Sequence, residues 1–464
     1  DERIAVYDLS LTETIVAVST PPGAGGIGIV RLSGPASLKI ARSLFRPKTP
    51  TRRYDSGRAV LGSIIDPSDG RAFDEGFLLY FKAPRSYTGE DVVELNLHGS
   101  PVILEETVRL AVRLGARPAL PGEFTLRAYL SGRIDFLQAE AVDDLIRSNS
   151  LLRAKSAFRG VEGALSKKIG ALRKDVIAVI GRIEADIEFP DEQPGMSKNY
   201  IFDKIDRILS EVDALVRSYK KGLALSRGVT VALIGRANSG KSTLFNDLLE
   251  EPRAIVTPYP GTTRDYLREK IHIKDASFTL VDMAGLGRPG SPVEREGIRR
   301  GKKIAAEADS LLLLLDSSRR LAAADRALVE SYRKRKIILV LNKTDLPEKT
   351  SIADVRRLFP ELPTIGISAL KGNGLAEIRT MIHDHFLPLL PSGEIVIFRE
   401  REKLLLEELS ARLAVLEEMV AGDRPIETVA EEARDVVAVI GRLTGEIRAD
   451  DVLDDIFSRF CIGK

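Results

Sequence analysis

The sequence predicts a multidomain fold: an N-terminal α+β domain, then an α-helical domain interrupted by an inserted α/β domain. Three observations carry that prediction. Residues 1–128 mix short β-rich runs with one or two helices, residues 227–387 alternate apolar strands with helical patterns, and long amphipathic helices flank that second stretch on both sides. A length of 464 residues suits about three domains.

In the first stretch "ETIVAVST", "GIGIVRLSG", "GFLLYFKAP" and "DVVELNLHG" are β-rich runs bounded by Gly, Pro and Ser, and "PVILEETVRLAVRLG" reads as an amphipathic helix with Pro at its start and Gly at its end. From 129 to 226 the texture is helical. Residues 151–189 keep an apolar stripe at three- and four-residue spacing and read as one long helix, and 208–225 follow the same rule. Strands return with "GVTVALIG", "SFTLVDMAG", "SLLLLLDSS", "IILVLNKTD" and "LPTIGISAL", the pattern of a mostly parallel doubly wound sheet. After "LPLLPSG", residues 388–464 resume long helices. "DVIAVIGRI" (175–183) nearly recurs as "DVVAVIGRL" (435–443), which suggests that the two helices share a core.

Composition narrows the function classes. No run approaches the roughly 18 apolar residues of a membrane span, so no membrane partner is expected. The start "DERIAVYDLS" has no secretory pattern, and a single cysteine excludes an intrachain disulfide framework, so a cytoplasmic protein is expected. A net charge of +2 leaves nucleic acid to local patches. The basic clusters at 217–228 and 332–336 are ordinarily solvated faces.

"GRANSGKS" (235–242) follows the apolar strand "VTVALI" and opens the helical "STLFNDLL", the context of a phosphate-binding loop. Its backbone N–H groups, with Asn238, Ser239, Gly240 and Thr243, would converge on phosphate oxygens at a helix N-terminus. Lys241 would bridge the β- and γ-phosphates and Ser242 would ligate Mg²⁺. In "DMAG", Asp282 serves the magnesium shell and the Gly285 N–H meets the γ-phosphate. In "NKTD", Asn342, Lys343 and Asp345 emerge at a strand's C-terminal edge, where such folds bind ligands. The Asp345 carboxylate can accept from both N1–H and the exocyclic amine of guanine, a match adenine lacks. Ser368, Ala369 and Leu370 support the base. Four elements in this order predict a P-loop GTPase that binds GTP and Mg²⁺. Ras-type GTPases orient the attacking water with a glutamine after this third glycine. Leu286 stands there and cannot. Another group must act, and Arg264 and Arg288 are nearby candidates for an arginine finger.

"GRANSGKS", "GTTRD" (261–265), "DMAGL", "VEREGI" (293–298), "TPPGAGGIGIVRLSG", "SYTGEDVVELNLHG" and the terminal "CIGK" together resemble the MnmE (TrmE) family of tRNA-modification GTPases over essentially the whole chain. The resemblance implies a potassium-activated GTPase whose G domains pair face to face. Asn238 would coordinate K⁺, helped by the loop Thr257–Thr262 with Tyr259, and Thr257 and Thr262 would border the nucleotide. Thr263 would ligate Mg²⁺, and Glu294 would orient the attacking water in place of the missing glutamine. A cation there would offset charge spreading over the phosphoryl oxygens. Read alone, Glu294 is a solvated residue opening a helix.

The resemblance also implies a constitutive homodimer and a one-carbon donor, 5-formyltetrahydrofolate or methylene-tetrahydrofolate, held by Arg31, Glu94 and Arg133 of the N-terminal region. Arg133 replaces the family's lysine, with a different reach and fork. If the last helix folds back, "FCIGK" reaches that site and brings Lys464 to the ligand. Cys461 then either takes part in one-carbon chemistry or belongs to a segment docked by Phe460 and Ile462. The implied reaction installs an aminomethyl-type (or carboxymethylaminomethyl) group at the five position of wobble uridine in tRNA, with the flavin-dependent protein MnmG (GidA) as partner. The alternative is a regulatory GTPase of ribosome assembly without modification chemistry.

Overall fold

The computed structural model describes residues 13–50, 53–188, 197–249, 267–282, 306–387, 393–422, 424–446, 460 and 462–463. The chain divides into two compact units, one of residues 1–146, 157–213 and 404–464, the other of 147–156 and 214–403. Among the described residues no helix is long and apolar enough to cross a membrane.

The first unit holds a seven-stranded sheet: β1 (Ile15–Val18), β2 (Gly25–Ser33), β3 (Phe45–Pro47), β4 (Ala59–Ile65), β5 (Ala72–Phe81), β6 (Val92–Gly99) and β7 (Arg117–Pro118), in the order β3-β4-β5-β6-β2-β1-β7. All neighbours are antiparallel except β1 and β7. Strands β3, β4 and β7 and the helix Ser37–Leu44 add to the sequence reading. The helices Ser37–Leu44 and Pro101–Arg113 lay Ile40, Leu44, Leu104 and Leu110 on Val30, Leu32, Leu78, Val93 and Leu95. One sheet face is therefore core. On the other face Leu61, Phe77, Asn96 and Ile29 stand directly opposite one another across four strands.

The long helix expected over 151–189 is two helices, Leu151–Val161 and Ala164–Glu188. Gly163 between them has φ +79, a left-handed conformation that ends a helix. The apolar stripe continues across the break, which is why periodicity alone joined the two. Ala164–Glu188 packs against the helix Ile426–Thr444, burying Val176, Val179 and Ile183 from one and Val436, Val439, Ile440 and Leu443 from the other. The near-repeat thus does mark two helices of one core.

The second unit is a six-stranded sheet of β8 (Val229–Gly235), β9 (Leu267–Ile273), β10 (Ala276–Asp282), β11 (Ser310–Asp316), β12 (Ile337–Asn342) and β13 (Thr364–Gly366), in the order β13-β12-β11-β8-β10-β9. Only β9 is antiparallel to its neighbour. Helices bury both faces, so β8, β11 and β12 are continuous apolar runs rather than alternating ones. The edge strand β9, "LREKIHI", carries three consecutive exposed charged residues, Arg268–Lys270, before Ile271 and Ile273 turn inward, and it escaped the sequence reading.

Candidate functional site

Three parallel strands, β8, β11 and β12, end side by side at Gly235, Asp316 and Asn342. The loop after β8 turns through Asn238 (φ +63) and Gly240 (φ +95) into the helix Lys241–Leu249. At Gly240 a Cβ would stand 2.1 Å from Asn342 Nδ2, so a glycine is required there. Asn342 is buried and ties two loops together: its Nδ2 donates to the Ser239 carbonyl (3.0 Å), and its Oδ1 accepts from the Ala369 N–H (3.0 Å). Ser368 Oγ donates to Asp345 Oδ1 at 2.6 Å and aims that carboxylate, which is otherwise exposed.

Lys241 Nζ donates to the Gly235 and Arg236 carbonyls (3.0 and 2.9 Å). Burial pushes its pKa below the ordinary lysine value, and the Asp282 carboxylate opposes that shift. Asp282 is buried at the end of β10. Ser242 and Thr243 occupy the first helical turn with exposed side chains. The residues present thus fit a nucleotide triphosphate with a hard cation: a glycine cradle, a partly desolvated ammonium, a hydroxyl at a helix N-terminus and a carboxylate behind it.

Sequence reasoning missed the grip on Lys343. This residue has φ +67, and its Nζ lies 2.7 Å from Asp316 Oδ2. Ser317 Oγ donates to the Lys343 carbonyl (2.8 Å), while the Ser318 N–H and Oγ donate to Asp316 Oδ1 (3.0 and 2.6 Å). Burial alone would raise the Asp316 pKa, but Lys343 and Ser318 outweigh it and hold the carboxyl below the usual aspartate value. The motif "LLLLLDSS" reads locally as a strand and a turn, with no sign of a partner in β12.

In the first unit, β2 and β6 place Arg31 directly opposite Glu94. Arg31 Nε donates to Glu94 Oε1 at 2.9 Å, and the guanidinium carbon lies 5.8 Å from the Tyr87 ring centroid and 5.7 Å from that of Phe124. Gly463 arrives from the chain's end: its carbonyl accepts from Ser19 Oγ (2.9 Å) and Arg31 Nη1 (3.3 Å). Phe460 is buried with Leu126, Phe136 and Ala139. Ile462, expected to help dock the tail, is exposed instead, because the glycine after it makes the contact. Arg133 does not join the Arg31–Glu94 pair. It lines a neighbouring cleft of about 1000 Å³ that also includes Tyr87.

Below these lies a buried ion network. Arg127 bonds Glu90 (3.0 Å) and Glu123 (3.0 Å), and Arg117 bonds Glu123 at 2.6 Å. Burial favours a protonated Glu123, but Arg117, the Leu120 N–H and Arg127 prevail and depress its pKa. Thr257, Tyr259, Thr262, Thr263, Gly285, Glu294, Cys461 and Lys464 lie outside the described residues, as do Arg264, Leu286 and Arg288.

Residues 136–461 match the family model of the MnmE helical domain, and residues 14–133 that of the GTP-binding protein TrmE N-terminus. The chain is 40% identical over 457 residues to the tRNA modification GTPase MnmE of Aquifex aeolicus, covering 98% of this chain and 100% of that one. To the tRNA modification GTPase MnmE of Natranaerobius thermophilus it is 37% identical over 455 residues, 97% and 99% of the two chains. Among solved structures, Aquifex aeolicus Era bound to GDP and AlF4⁻ is similar at 28% identity and a TM-score of 0.29, over 39% of this chain and 66% of that one.

Proposed function

The chain belongs to the MnmE family and is a tRNA modification GTPase, and from that premise we propose a potassium-activated enzyme that works as a homodimer. With a flavin-dependent MnmG partner it modifies the five position of wobble uridine, using a one-carbon unit from 5-formyl- or methylene-tetrahydrofolate. The observation that carries the folate reading is the meeting of the chain's end with the Arg31–Glu94 pair, where Gly463 receives the Arg31 guanidinium. The Glu94 carboxylate, held by Arg31, can accept from a pterin edge, and a guanidinium farther along, such as that of Arg133, can grip a folate carboxylate in bidentate fashion. Cys461 and Lys464 flank that contact in sequence, and in this reading they act on the carbon unit or close the site.

In the nucleotide site Lys241 bridges the phosphates, Ser242 and Thr263 hold Mg²⁺ with Asp282 behind them, and Asn342, Lys343 and Asp345 read guanine over Ser368–Leu370. Asn238, in its left-handed conformation at the exposed crest of the loop, offers an amide oxygen to K⁺, with Thr257, Tyr259 and Thr262 completing that site. Glu294 orients water. Homodimerisation is supported by the open sheet face, where Leu61 and Phe77 are exposed and Asn96 Nδ2 is buried without a hydrogen-bond partner among the described residues.

GTP turnover in potassium and in sodium tests the reading, alongside calorimetry with 5-formyltetrahydrofolate. The expected result is turnover stimulated by K⁺ and abolished in Glu294→Ala with GTP binding spared, and folate binding lost in Arg31→Ala. Equal turnover in both salts together with no folate affinity would overturn it and leave the regulatory alternative.

A further inference from the structure

The cleft beside the Arg31–Glu94 pair has walls from two loops and an electrostatic bias of one sign. One wall is the β5–β6 connection from Phe81 to Gly89, the other the turn at Ser131–Ile134. They are joined at the base, where Ser131 Oγ donates to the Thr88 carbonyl at 2.8 Å. Gly89, with φ +78, sits so close to Ser131 that a Cβ would stand 2.7 Å from its Oγ. The cleft is therefore held open by fixed backbone.

Arg85 and Arg133 line it from opposite walls, both exposed, and among the described residues neither guanidinium has an ion-pair partner. Among the described residues no Asp or Glu lines the cleft. Phe81, Pro84 and Ile134 supply apolar surface, and Tyr87 is shared: it lines the cleft while its ring lies against Arg31. A volume of about 1000 Å³ is at the upper end of small-molecule sites, more than the Arg31–Glu94 pair needs for a fused ring system.

We propose that this cleft takes the anionic tail of a folate and that Arg85, with Arg133, selects for folates bearing additional γ-linked glutamates. The proposal rests on the folate reading above and deepens it. A ligand anchored at Arg31 and passing over Tyr87 enters a channel whose unpaired charges are both positive. Each added glutamate brings one more carboxylate to a guanidinium whose planar fork matches it.

Calorimetry on the full chain with 5-formyltetrahydrofolate as the monoglutamate and as the triglutamate tests it. The triglutamate should bind about five- to tenfold tighter at low ionic strength, the scale of one or two exposed ion pairs. That advantage should shrink at about 0.5 M KCl, where screening is nearly complete. Arg85→Ala should abolish the preference, so that the variant binds the triglutamate no tighter than the monoglutamate, and Arg85→Lys should restore part of it. Equal affinity of the two forms for the unmodified protein overturns this proposal alone, and so does a preference that survives Arg85→Ala. Failure of both forms to bind overturns the folate reading and the proposal with it. An Arg85→Ala variant that weakens tRNA binding but keeps the preference assigns the arginine to tRNA and also refutes the selection.

Discussion

Replacing Gly463 with alanine should release the chain's end from the first unit. Gly463 has φ +88, and a Cβ there would lie 2.3 Å from the Val18 carbonyl oxygen, so both conformation and space resist a side chain. The left-handed conformation alone costs about 1–2 kcal/mol for a non-glycine residue. Relieving the clash moves the Gly463 carbonyl away from Ser19 Oγ and Arg31 Nη1, each hydrogen bond worth about 0.5–1.5 kcal/mol net. The sum, roughly 2–5 kcal/mol, corresponds to a loss on the order of 10²–10³ in the docked-to-released ratio. Trimming by a carboxypeptidase through Gly463 requires that release and reports it. The trimming rate should rise by about 100-fold or more in Gly463→Ala, with GTP turnover unchanged. An unchanged trimming rate would refute the tail's docking through Gly463.

Gly240→Ala should abolish nucleotide binding, because its Cβ would meet Asn342 Nδ2 at 2.1 Å; fluorescent GDP titration should show at least about a 100-fold loss. Asp316→Ala should free Lys343 Nζ and speed GDP dissociation by about fivefold or more in stopped-flow measurements, with Asp316→Glu intermediate. Asp345→Asn should move base preference from guanine toward xanthine, since an amide donates where the carboxylate accepts; competition between GTP and XTP reads it. Finally, His98 hydrogen-bonds Asp74 (2.5 Å), and that bond, with Asp74's charge, raises its pKa above 6.5. The contribution to stability is fully present below pH 6.5 and is lost as pH rises through the raised value. An NMR titration should place His98 above 6.5 and show it fall in Asp74→Asn.

The division of labour between chain and fold is clearest residue by residue. Asn238, Gly240, Lys241, Asn342 and Asp345 belong to motifs whose chemistry works over a few neighbouring residues, so type and spacing singled them out as candidates. Local periodicity likewise found most strands and helices, because each long apolar stripe must be buried somewhere. It failed at Gly163, where a single backbone conformation breaks a stripe that continues on either side, and at β9, an edge strand whose outer side stays polar.

Asp316 and Lys343 are 27 residues apart, and no local pattern links them. Arg31 and Gly463 are separated by 432 residues. Sequence by itself determined the nucleotide chemistry and the domain types, since loops, caps and apolar stripes are short-range properties of the chain. Only the tertiary structure decided that Asp316 clamps Lys343, that Glu94 faces Arg31 across two strands, and that the tail's glycine rather than Ile462 makes the contact. Those pairings follow from strand register and close packing, which depend on every segment lying between the partners.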